Sequence, residues 1–163
     1  MLYNERYSSI PATAGVFESL KYLNDARFAG AIFLISKCNP WAQEKILIWL
    51  QDNDFYKKTG ISEKNVLFCR ERHEKAEICV AIGVTCFIDD RLEVLAAMES
   101  KVPHLFLYEP DQAETDQYRR FLPMVTVVEN WAEVVEQIDK TCETAPKTSR
   151  DEHDDTTLSY QLN

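Results

Sequence analysis

Three places along this chain carry residue types that could do chemistry together. Ser36 follows the apolar run AIFLI, Lys75 lies in HEKAEIC after VLFC, and Asp89 and Asp90 follow VTCFI. A hydroxyl binds phosphoryl oxygens, an ammonium offsets their charge, and a carboxylate pair holds a hard divalent cation such as magnesium. Taken singly, each residue has an ordinary role. A Ser after a strand serves as a turn residue, a helical Lys is solvated, and an Asp pair between strand and helix caps the helix. Their common position gives them weight, because open parallel sheets bind ligands beyond the carboxyl ends of their strands.

The remaining chemical candidates read as structural. Cys69 and His73 have a ligand-like gap, but no second pair completes a zinc site. His73 and His104 have acid–base chemistry, with His73 near Lys75 but at a solvent-facing helix start. Arg91 directly follows the Asp pair and is better placed to pair with Glu93 or the acidic tail than to touch phosphate. Trp41, Trp49 and Trp131 occupy amphipathic helix positions that suit core packing. Cys38, Cys69, Cys79, Cys86 and Cys142 form an odd set without a C-x-x-C pair, which reads as buried reduced thiols. Only four glycines are present, which excludes a G-x-G-x-x-G or Walker-type phosphate cradle.

The elements that must position these residues follow from apolar patterning. The continuous apolar run 31–35 reads as a buried parallel strand, and 66–69, 84–88, 104–108 and 125–128 read as further strands. Helical spacing marks 11–23, 40–50, 71–82 (stopped by Gly83), 91–98 and 131–138. Residues 52–64 read as connection. Strands alternating with amphipathic helices predict an α/β fold, a parallel Rossmann-like sheet with helices on both faces. The sequence contains 163 residues, 45% hydrophobic and 28% charged, enough for one domain with a real core. That domain is expected over 1–141, with a flexible acidic and polar tail over 142–163.

Eighteen basic against 27 acidic residues give a net charge of -9, which argues against bulk binding of nucleic acid or an anionic membrane. It leaves room for a small anion beside a local cation. No apolar run reaches the ~20 residues that span a bilayer. The start MLYNERYSSIP lacks the features of a signal peptide, so the expected compartment is the cytoplasm.

The runs FLISKC, NVLFCRERHEKAEICVAIGVTCFIDDRLEVL, VPHLFLY and VENWAEVVEQI resemble the haloacid dehalogenase-like (HAD) hydrolases over roughly 10–138. Ser36 matches the family's second motif, Lys75 its third, and Asp89 and Asp90 its fourth. The resemblance implies a magnesium-dependent phosphohydrolase acting on a phosphorylated substrate. Ser36 and Lys75 would be catalytic groups that hold and neutralise the phosphoryl, Asp89 the main magnesium ligand, and Asp90 a second ligand or an outer group beside it.

The first family motif, an apolar strand followed by D-x-D, has no match. Upstream of Pro11 stands only MLYNERYSSI, and the sole Asp before Ser36 is Asp25, without a preceding apolar strand. The resemblance puts that strand in the middle of the sheet, between those ending at Ser36 and Asp89. The predicted fold therefore lacks its central first strand and the nucleophile it carries. A gap of two strand spacings, roughly 10 Å, would leave buried backbone unpaired and invite pairing between chains. Two explanations stand open: an N-terminally incomplete enzyme, or a divergent member that keeps the fold as a pseudoenzyme binding a phosphoryl ligand or a protein. The retained Ser36, Lys75, Asp89 and Asp90 favour the first. The segment 69–84 holds only the Lys75 helix and no cap. A third reading makes the acidic tail an interaction element.

Overall fold

A continuous apolar run such as 31–35 suits a parallel sheet covered on both faces, and the five runs form a parallel sheet here, with Thr126 and Val127 of the last one exposed. The computed structural model describes residues 9–144 and, as backbone, Leu158–Tyr160. The strands are β1 (Ile32–Lys37), β2 (Val66–Cys69), β3 (Cys86–Asp89), β4 (His104–Tyr108), β5 (Thr126–Val128) and β6 (Leu158–Tyr160). Their order across the sheet is β2-β1-β6-β3-β4-β5, and every pairing is parallel. The chain is thus α/β, a Rossmann-like parallel sheet flanked by helices.

Side-chain alternation along each strand sorts the core into two layers. Ile32, Leu34, Cys86, Ile88, Phe106 and Tyr108 pack on one face with α1 (Val16–Leu23) and α7 (Trp131–Thr144). Also on this side are Leu50 of α2 (Pro40–Asp52) and Phe55 of α3 (Phe55–Thr59). Ile35, Phe87, Leu105 and Leu107 pack on the other face with α4 (Arg72–Ile82) and α5 (Leu92–Ala96). Between β4 and β5 lie α6 (Gln112–Gln117) and a 3-10 turn, Arg119–Met124.

The sheet differs from the sequence expectation at its centre. Leu158–Tyr160 occupies the place between β1 and β3, pairing Leu34 with Tyr160 on one side and Ile88 with Tyr160 on the other. The missing-strand expectation is corrected in this respect: a strand is present, and it comes from the C-terminal end of the sequence. The physical reason is the one that made the gap costly, since buried N–H and C=O groups on β1 and β3 need partners. The tail expected over 142–163 falls mostly outside the described residues. Within it, Cys142–Thr144 continue α7 and Leu158–Tyr160 form β6.

Other boundaries also move. The first helix starts at Val16 rather than at 11, after Gly15, whose φ of +77° suits a residue without Cβ. It does not break at Asn24 but runs on as a π-helical turn, Asn24–Phe28. The connection 52–64 contains α3 and a 3-10 turn, Glu63–Asn65. The last helix extends past 138 to Thr144. Among the described residues no helix is long and apolar enough to cross a membrane.

Candidate functional site

The chain turns outward in opposite directions from the centre of the sheet, to β2 after β1 and to β4 after β3. That reversal is a topological switch point, where α/β sheets open a crevice at the carboxyl ends of the strands. Ser36 is the fifth residue of β1, buried rather than lying in the turn after it. Asp89 ends β3 and Asp90 follows it. Leu34 and Ile88 share a level through Tyr160. Ser36 and Asp90, each two residues further on, are therefore level with one another on either side of β6.

Alternation then separates the four predicted site residues into two pairs. Ser36 shares the face of Leu34, and Asp90 that of Ile88, toward α1 and α2. Both line a cleft of about 570 Å³. Asp89 shares the opposite face with Phe87, where Lys75 of α4 meets it.

Lys75 and Asp89 form a fully buried ion pair. Lys75 Nζ donates to Asp89 Oδ2 at 3.1 Å, and the two side chains are 1% and 0% exposed. The other carboxylate oxygen, Oδ1, accepts from the Arg91 backbone N–H at 2.9 Å, fixing the turn that carries Asp90. Burial pushes the Asp89 carboxyl up to about 6, against the downward pull of Lys75 and the Arg91 N–H. Local sequence explains the aim of Lys75. Glu71 and Glu74 form a capping box that starts α4 one turn earlier, with Glu74 accepting from the backbone N–H groups of Arg70 and Glu71. Those bonds hold the Glu74 carboxyl below its ordinary value.

A residue the sequence did not suggest completes this corner. Glu114 of α6 accepts from the N–H groups of Leu92 and Glu93, at 3.1 and 2.8 Å, and so caps α5 from outside. The donor groups and their cap are 21 and 22 residues apart, and no local motif marks such a pairing. Arg91 pairs with Glu93 at 3.5 Å, as expected, and Glu93 also meets Arg72 of α4 at 2.7 Å.

The cleft on the other side has a polar floor and an apolar wall. Ser36, Lys37 and Asp90 contribute to the floor, with Glu109 at the end of β4. The wall includes Phe17, Ile46, Trp49 and Phe55, with the Phe17 ring centroid 6.2 Å from Trp49 and 5.8 Å from Phe55. Trp49 Nε1 donates to the Ile10 carbonyl at 2.9 Å, which holds the segment before α1 along the cleft. Trp49 was expected in the core, and the structure places it at the core's edge on this wall. Trp41 is 46% exposed, so its expected core role does not hold, and Lys45 lies over its ring. Trp131 is buried as expected, beside Tyr108.

His73 is exposed on the first turn of α4, and His104 begins β4 exposed. The five cysteines are free thiols. Burial pushes Cys79 and Cys86 up to about 12.

The donor set bears on magnesium. Among the described residues no group of three His, Cys, Asp or Glu side chains could hold a metal ion. Asp89 already faces a cation in Lys75. Magnesium often takes only one or two carboxylates, completing its shell with phosphate oxygens and water. Asp90, which lines the cleft, is the carboxylate that could serve in that mode.

No family model, curated protein or solved structure matches the chain. The fold and the crevice define its class: an α/β protein with a ligand-sized cleft at the switch point of a parallel sheet.

Proposed function

We propose that this chain is a HAD-like module that binds a phosphoryl ligand in the cleft and does not hydrolyse it. The observation that carries the reading is the level placement of Ser36 and Asp90 across the switch point, both opening into one cleft. The Ser36 hydroxyl donates to a phosphoryl oxygen, and the Lys37 ammonium offsets its charge. Asp90 holds magnesium together with the phosphoryl oxygens. The ion neutralises the repulsion that Asp90 and Glu109 would otherwise impose on an anion. Lys75 and Asp89 act from beneath, fixing the turn that presents Asp90.

Binding is favoured over hydrolysis by the sequence of the central strand. In the family that this chain resembles, the attacking Asp ends the strand between those of Ser36 and Asp89. Here that place belongs to Leu158–Tyr160, followed in sequence by Gln161, Leu162 and Asn163, none of them a carboxylate. Titration calorimetry with inorganic phosphate in magnesium tests the binding, and a phosphate-release assay with nitrophenyl phosphate tests turnover. Uptake of phosphate, weakened by Ser36→Ala and unaccompanied by release, is the expected result. Sustained release that Ser36→Ala abolishes would make the chain a hydrolase.

A further inference from the structure

The cleft is larger and less polar than a phosphate ion requires. Its volume of about 570 Å³ lies in the range of sites that enclose whole organic molecules. Charge is confined to the strand ends and to Lys45, while the side formed by α1, α2 and α3 is apolar and aromatic. Phe17 and Ile46 are only partly buried, although both pack against the core. Trp49 is held in place by its bond to the Ile10 carbonyl, so this wall does not depend on a ligand for its shape. Preformed aromatic walls bind planar apolar groups by offset and edge contacts.

We infer that the ligand is a phosphate monoester of an aromatic or similarly apolar body. Its phosphoryl end lies at Ser36 and Asp90, and its body lies against Phe17, Ile46 and Trp49. This assignment rests on the phosphoryl reading above and adds the identity of the other end of the ligand. A sugar phosphate would bring hydroxyls against the Phe17, Ile46 and Trp49 side chains, which pair poorly with them, and those hydroxyls would lose their water.

The test compares three probes on the full chain by titration calorimetry in magnesium: 1-naphthyl phosphate, inorganic phosphate and 1-naphthol. Naphthyl phosphate is expected to bind about tenfold to a hundredfold tighter than inorganic phosphate, the factor that burial of one ring provides. Ile46→Asp is expected to bring naphthyl phosphate down to about the affinity of inorganic phosphate. Trp49→Phe, which keeps a ring but loses the bond to the Ile10 carbonyl, is expected to retain part of the advantage. Equal affinity of the wild-type chain for naphthyl phosphate and inorganic phosphate would overturn the aromatic assignment and leave the phosphoryl reading standing. Naphthol binding as tightly as its phosphate, with no uptake of inorganic phosphate, would support the apolar wall and overturn the phosphoryl reading. Absence of binding by all three would overturn both.

Discussion

The two sides of the sheet's carboxyl edge use similar residue types to opposite ends. On the α4 side, Lys75 and Asp89 meet at 3.1 Å with almost no exposure. On the α1 and α2 side, Ser36, Lys37 and Asp90 border a cleft. A buried pair satisfies itself and cannot reach a ligand without being pulled apart. Groups that line a cleft lie where a ligand can reach them. Burial, more than residue type, therefore separates the architecture of this edge from its binding surface. A lysine and an aspartate are not functional merely because they sit at the end of a strand.

The largest expected effect comes from breaking the closed side. Asp89→Leu leaves the Lys75 ammonium buried without its carboxylate and should cost about 3–5 kcal/mol, read from urea denaturation. Lys75→Met combined with Asp89→Leu should recover most of that loss, because a well-packed apolar pair often replaces a buried ion pair at little cost. A double variant no more stable than Asp89→Leu alone would show that the pair is not a closed unit.

On the open side, Ser36→Ala should weaken phosphate binding by about tenfold, the worth of one hydrogen bond to a charged group. Its stability should change by only about 1 kcal/mol. Binding and stability thus separate at Ser36 and not at Asp89. Glu114→Ala removes the outside cap of α5 and should cost about 1 kcal/mol in the same denaturation assay. Full stability in that variant would mean that the Leu92 and Glu93 N–H groups find other partners.

Thiol labelling gives the mildest comparison. Cys38 lines the cleft and is partly exposed, whereas Cys69 and Cys79 are buried on the closed side. Burial raises both buried thiols, Cys79 to about 12, so neither forms thiolate at neutral pH. Iodoacetamide should modify Cys38 in the native protein and leave Cys69 and Cys79 intact until it unfolds. Ligand in the cleft should slow the reaction at Cys38. Rapid native labelling of Cys79 would contradict the burial on which the comparison rests.

Much of this edge was legible in the residues themselves. Runs such as AIFLI and HLFLY have no polar alternation, so they read as parallel strands, and the chemistry then falls at their carboxyl ends. The separation into two sides was also written in the parity of the numbers: 34 and 36 against 35, and 88 and 90 against 89. It becomes visible only once the register between β1 and β3 is known. β6 was hidden because its three residues sit in a polar stretch, and its place depends on unpaired backbone elsewhere. Glu114 was hidden because a cap supplied from another element leaves no local pattern. α3 was hidden inside a polar connection where Phe55 and Ile61, too few for a periodic pattern, reach the core.

The central claim is that the cleft between Ser36 and Asp90 receives a phosphoryl group while the Lys75–Asp89 side stays closed. Amide chemical-shift mapping of the labelled chain, titrated with phosphate in magnesium, tests it most directly. The expected result is a set of saturable shifts at Ser36, Lys37, Cys38 and Asp90, with the amides around Lys75 nearly still. Shifts centred on the Lys75 helix, or none at the ends of β1 and β3, would contradict it.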